Sequence, residues 1–207
     1  MKSIILLCYN RPEKTKQCLA SLKKLYLIET YELVVARQTD SSLKSKQVEN
    51  LINEIDWIKV HHCLYKPKKN DSIKTKITSN KYTGFSYAFE TLKSNFSVFI
   101  EDDSVIGYDF LHFCESMIKI YNQDPFFKAI CGFSIEPKSS LNTFTYSKFR
   151  FGIGQAYAIT EKHWSTIFKP NWPKKDILFD VHIETEIKKG YVILPAASRL
   201  LDIGFGD

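Results

Sequence analysis

Phe96-Ser97-Val98-Phe99-Ile100-Glu101-Asp102-Asp103 is the stretch on which the reading of this chain turns. Phe96 to Ile100 is an apolar run of strand length, bounded by Asn95 on one side and by three acids on the other. In open α/β sheets ligands bind beyond the carboxyl ends of the strands, so acids at that place mark a candidate site. Adjacent carboxylates repel one another unless a cation or several donors compensate them. Their hard oxygens suit Mg²⁺ or Mn²⁺, which keep waters and bridge to substrate phosphates. A competing reading has the acids capping a helix that begins near Gly107-Tyr108, although a cap needs one acid and not three.

Outward from that run, strands and helices alternate. Ser3 to Tyr9 reads as a buried strand that ends at Asn10-Arg11-Pro12-Glu13, where Asn10 is expected to cap a helix with Glu13 completing a capping box. Cys18, Leu19, Leu22, Leu25 and Tyr26 carry that helix. Tyr31 to Ala36 is a second strand, Val48, Leu51, Ile52 and Ile55 a second helical stripe, and Trp57 to Val60 a third short strand. A loop, Lys66 to Ser72, leads to a helix through Phe85, Ala88, Phe89 and Leu92, and another follows through Phe110, Phe113, Cys114, Met117 and Tyr121. This alternation predicts βαβ units and a mostly parallel sheet with helices on both faces.

The rhythm changes after about Asp124. Strands are expected at 128–132, 143–151 and 156–159, then a helix from Thr160 to Phe168 and a loop, Asn171 to Lys175. A helix over 181–189 ends at Gly190, and Tyr191 to Leu194 closes as a strand. The expectation is one domain over 1–207, with a nucleotide-binding half (1–124) and a mixed half (125–207).

Composition removes several classes. With 44% hydrophobic residues among 207 the chain can build a core, and no run approaches the ~20 apolar residues of a membrane span. Ser3 to Cys8 is too short for a signal-peptide core. The five cysteines, at 8, 18, 63, 114 and 131, form no CxxC pair, so a reducing cytoplasm is expected, with peripheral contact at the inner face of the membrane left open. No GxxxxGK[ST] or GxGxxG motif occurs, Gly152-Ile153-Gly154 is a lone GxG, and the five histidines lack HExxH spacing. The net charge is +6, and Lys66, Lys68, Lys69, Lys74, Lys76 and Lys81 crowd one stretch, read first as a solvated basic surface.

Ser97 to Asp103, with Asp109-Phe110 six residues on, resembles the Glu-Asp-Asp variant of the DXD motif of GT-A glycosyltransferases. The opening Ser3 to Lys14 is similar to the start of that fold. The closest resemblance is to the inverting type I N-acetylglucosaminyltransferase family and bacterial family 2 relatives, and it extends through Gly152 to Tyr157, Asn171-Trp172-Pro173, Phe179-Asp180 and Leu194 to Arg199. It implies a metal-dependent transfer of a sugar from a nucleotide-diphospho-sugar, a UDP-sugar first, to a glycan or lipid-linked acceptor, of the kind that builds bacterial surface polysaccharides. By the resemblance Asp103 would hold Mn²⁺ or Mg²⁺, Asp102 would act near the ribose or through metal-bound water, and Glu101 would face the sugar or its acceptor. Asn10, Arg11 and Gln38 or Asp40 would hold the nucleoside, Lys81 a phosphate. Asp180 would be the general base, with Asp176 its competitor and helix capping the bland alternative.

The chain departs from the pattern at Phe179, where the relatives carry Trp. It also stops at Ile203-Gly204-Phe205-Gly206-Asp207, where they run on into a loop carrying Thr and His, so a donor-closing loop is expected to be missing. Two other functions remain open: a sugar nucleotidyltransferase, which would favour a Gly-rich, Lys-bearing loop in place of Asn10 to Glu13, and a non-catalytic nucleotide-sugar-binding module. Nucleic acid ranks last as a partner, because the acids at 101 to 103 oppose a phosphate backbone.

Overall fold

The computed structural model describes residues 1–135, 145–150, 152–174 and 176–204. Its strands are β1 (Lys2–Cys8), β2 (Glu32–Gln38), β3 (Val60–Tyr65), β4 (Phe96–Glu101), β5 (Ser104–Ile106), β6 (Phe127–Cys131), β7 (Tyr146–Phe149), β8 (Ala156–Thr160), β9 (Tyr191–Pro195) and β10 (Leu200–Asp202). The helices are α1 (Pro12–Leu22), α2 (Leu43–Asn53), α3 (Ile73–Ser86), α4 (Phe110–Tyr121), α5 (Glu161–His163) and α6 (Phe179–Lys188). Wider turns of π pitch extend α3 through Tyr87–Thr91 and α5 through Trp164–Phe168.

Among the described residues eight strands form one sheet in the order β3-β2-β1-β4-β8-β6-β9-β7, and β5 pairs with β10 in a small second sheet. β3, β2, β1 and β4 are mutually parallel, while β8 runs antiparallel to both β4 and β6. Both faces are covered, and the two-residue period of the strands sorts the core accordingly. Ile4, Leu6 and Cys8 of β1 pack with α1, α2 and α4 on one face. Ile5 and Leu7 pack with Phe85, Phe99, Trp164 and α6 on the other. All five cysteines are buried free thiols. No helix among the described residues is long and apolar enough to cross a membrane.

Several boundaries differ from expectation. Arg11, not Asn10, stands at the N-terminus of α1 and makes no side-chain cap. Pro12, which lacks an N–H and has its φ preset, opens the helix instead. The third strand is 60–65 rather than 57–60, because β3 lies at the sheet edge and buries Cys63 alone, leaving no apolar run to read. The acids at 101 to 103 lead into β5, not into a helix, which removes the capping reading. β7 falls within the expected 143–151, of which 143, 144 and 151 lie outside the described residues.

Gly190 follows α6, but no left-handed φ requires it there. A Cβ at this position would stand 2.0 Å from the Phe126 carbonyl oxygen, which accepts from the Tyr191 N–H at 2.8 Å. Glycine is needed for close approach of two backbones. Gly190→Ala should therefore destabilise the fold by about 1–3 kcal/mol, seen as a lower denaturation midpoint at unchanged slope. An unchanged midpoint would show that the β9 entry relaxes freely.

Candidate active site

Parallel pairing sets the site. β1 and β4 run side by side with Leu7 opposite Glu101, so whatever follows β1 meets whatever follows β4. Arg11 follows β1, and its guanidinium donates to Asp102 Oδ1 with one nitrogen and to Asp103 Oδ2, at 2.6 Å, with the other. Asp102 is fully buried, its second oxygen accepts from Thr15 Oγ1 at 3.0 Å, and its N–H donates to the Leu7 carbonyl. Burial pushes the Asp102 carboxyl up, and the Arg11 charge opposes that push. With both oxygens engaged and no exposed surface, Asp102 anchors Arg11 and offers no face to a ribose. Arg11 in turn is committed to the acids rather than free for a nucleoside.

Asp103 is 6% exposed, and its Oδ1 is buried with no hydrogen-bond partner among the described residues. β10 brings a strap of chain over it: Asp202 pairs with Ser104, and the Ile203 N–H donates to the Asp103 carbonyl at 2.8 Å. A Cβ on Gly204 would lie 2.7 Å from Asp103 Oδ2 and 3.0 Å from Asp202 Oδ1, so only glycine lets the strap sit this close. The Gln155 amide donates to Asp202 Oδ2 at 2.9 Å. Gln155 and Asp202 belong to the site although neither was among the expected site residues. Asp202 carries no local sequence signal, since the pairing of β10 with β5 alone brings it here.

Behind the acids lies a second cluster. Lys81 is 1% exposed and sits inside α3 rather than ahead of it. Its Nζ donates to both Asp180 oxygens, at 3.0 and 2.8 Å, and lies 3.3 Å from Glu101 Oε1. An ammonium has three donors, and all three are taken, so Lys81 is not the free phosphate-facing lysine expected. The Phe99 ring lies beneath it, 4.4 Å from Nζ to centroid. Burial would lower the Lys81 pKa, but Asp180 and then Glu101 outweigh it, and the net shift is upward. Burial raises the Glu101 carboxyl, against the pull of Lys81. The Tyr157 hydroxyl, close enough to feel Asp180 and Glu101, is buried without a hydrogen-bond partner among the described residues. Asp180 lies in the first turn of α6 and does not cap it; Leu178 holds that position.

The remaining candidates are peripheral to these two clusters. Asp40 is exposed and accepts from the Tyr9 hydroxyl and from Ser42 N and Oγ at 2.8 and 2.6 Å, which organises the turn before α2. Gln38 ends β2, buried beside Tyr9, and Asn10 is half-buried after β1. Asp176 accepts from the Ser72 and Thr75 hydroxyls at the start of α3. Asp109 takes Arg199 in a bidentate pair at 2.9–3.1 Å, with the guanidinium 4.4 Å from the Phe113 centroid. Those two residues of the resembling pattern lock the start of α4 to the 197–200 turn and stand as structural. No group of three His, Cys, Asp or Glu side chains converges as a metal cage among the described residues.

No protein-family sequence model and no curated protein sequence matches the chain. Solved structures do. Residues 1–349 of S. aureus TarS superpose with a TM-score of 0.62 at 11% identity, over 96% of this chain and 59% of that one. The same protein in complex with UDP-GlcNAc gives 0.60 at 12%, over 96% and 57%. Mannosyltransferase PcManGT from Pyrobaculum calidifontis, in complex with GDP-Man and Mn²⁺, gives 0.60 at 12%, over 94% and 56%. The chain thus spans under three fifths of the length of each of these. At such identities the likeness speaks to architecture, and it agrees with the strand order above: the chain has the GT-A glycosyltransferase fold.

Proposed function

We infer that the chain transfers a sugar from a nucleotide-diphospho-sugar to an acceptor hydroxyl, with inversion and with help from a divalent cation. The observation that carries this reading is the juxtaposition, at the carboxyl ends of β1 and β4 in a GT-A fold, of Arg11, Asp102, Asp103 and the Lys81–Glu101–Asp180 cluster. A UDP-sugar is the first donor to test; TarS is seen with UDP-GlcNAc, PcManGT with GDP-Man and Mn²⁺.

A divalent ion fits the residues present. Mg²⁺ or Mn²⁺ needs only one or two carboxylates beside waters and substrate phosphates, and Asp103 offers a buried Oδ1 that is unpartnered among the described residues, with Asp202 beside it. When bound, such an ion neutralises the diphosphate as it leaves. Arg11 supplies a second, permanent positive charge on the same acids and holds their orientation. Asp180 accepts the proton of the attacking hydroxyl as its oxygen closes on the anomeric carbon, and Lys81 fixes that carboxylate in place. Asn10, Gln38 and Asp40 border the nucleoside end.

Calorimetry of UDP binding, with Mn²⁺ and with EDTA, tests the donor side. Asp103→Asn should weaken UDP binding in Mn²⁺ about tenfold or more and leave the EDTA value nearly unchanged. Equal affinity with and without metal in both proteins would sink the metal assignment. UDP binding without any donor hydrolysis would favour the non-catalytic module instead.

A further inference from the structure

Between α3 and the 169–176 loop lies a cleft of about 660 Å³, within the ~300–1,000 Å³ range of ligand pockets. Tyr65, Tyr82 and Trp172 give it aromatic walls, threonine and serine hydroxyls of α3 line one side, and Lys169, Lys174 and Asp176 stand on the loop side. The Tyr82 hydroxyl has no hydrogen-bond partner among the described residues. Rings beside hydroxyls suit a sugar, which has an apolar C–H face and a polar rim.

Ring contacts tie the cleft wall to the helices that carry the second cluster. Trp172 stacks on Phe179 at 3.9 Å between centroids, and Phe179 is the neighbour of Asp180. Tyr82, which meets Trp172 edge-on at 5.2 Å, is the neighbour of Lys81.

The rim is strongly basic. Lys169 and Lys174 line the cleft itself, Lys169 paired with Glu90 at 2.9 Å, and the adjoining segment 65–76 adds five lysines against Asp71 alone. Lys66, Lys68, Lys69, Lys74 and Lys174 are exposed and make no ion pair among the described residues. Both aspartates are occupied, Asp71 by the Lys68 N–H and the Tyr65 hydroxyl, Asp176 by Ser72 and Thr75. We propose that this cleft binds an anionic glycan, its sugars against Tyr82 and Trp172 and its charged groups against the rim lysines. The identification of that glycan as acceptor rests on the transfer reading; the binding itself does not.

A lipid surface would need a flat or convex patch, whereas these rings line a cleft.

The test is calorimetry on the full chain without donor, using oligogalacturonate, an oligophosphomannan and a neutral maltooligosaccharide of matched length. At least one anionic probe should bind at least tenfold more tightly than the neutral one and weaken as salt rises. The two anionic probes separate carboxylate from phosphate recognition. The Lys66→Ala, Lys74→Ala, Lys174→Ala triple variant, all exposed positions, should lose about tenfold. Trp172→Phe, which keeps a ring in the stack, should weaken all bound sugars without changing the salt dependence. Equal affinity for charged and neutral probes, wild-type binding by the triple variant, or binding only to anionic phospholipid vesicles or to single-stranded DNA would each overturn the proposal. UDP binding by the same preparation reports on the donor site separately, so the two readings fail independently.

Discussion

Lys81→Met should cost the fold about 3–5 kcal/mol at neutral pH, the usual penalty when one partner of a buried ion pair is removed. Methionine keeps most of the stem but leaves Glu101 and Asp180 facing each other with no counter-charge in a site walled by Phe99 and Phe179. The deficit has a predictable pH dependence. The folded Glu101 carboxyl is already raised above 4.5, by burial first and by Asp180 and Asp103, and Lys81 is what restrains it. A carboxyl raised in the folded state binds its proton more readily there than in the unfolded chain, so acid favours the fold. The variant's deficit is then full above the raised value and shrinks as pH falls toward the ordinary carboxylate range. Urea denaturation at neutral pH and at about pH 5 checks both points. An unchanged midpoint at neutral pH would mean that water reaches the cluster.

The second large effect concerns rate. Asp180→Asn should slow transfer by about 10²–10⁴-fold, the contribution of a positioned general base. Donor affinity measured by calorimetry should hold. Stability should fall less than in Lys81→Met, because Lys81 keeps Glu101 as partner and the remaining pair is balanced in charge. The asparagine oxygen also still accepts one of the ammonium protons. A wild-type rate would pass the role to Glu101, since Asp176 is held by the hydroxyls of Ser72 and Thr75.

The sequence exposed those parts of the fold that rest on local pattern. β1 and β4 are continuous apolar runs because both of their faces are buried, and α1 and α4 show their stripe because each packs one side. β3 leaves no readable pattern, because as an edge strand it buries only Cys63. The acids were legible from their place after β4, but their partners were not. Lys81 and Asp180 lie 99 positions apart, and nothing near Lys81 announces that its charge is used inward. The same holds for Asp202, which reaches the acids only through the β5–β10 pairing.

The place of β8 in the sheet bears on how the molecule is made. It lies between β4 and β6, both of which precede it in sequence, and it supplies the ladder on each side. Until 156–160 are synthesised, β4, the strand that presents the acids, is an unpaired apolar edge. Open edges of that kind recruit other chains, and pairings that close long loops form slowly. Dilute refolding, which gives β8 time to insert before open edges meet, should therefore raise the yield of folded protein.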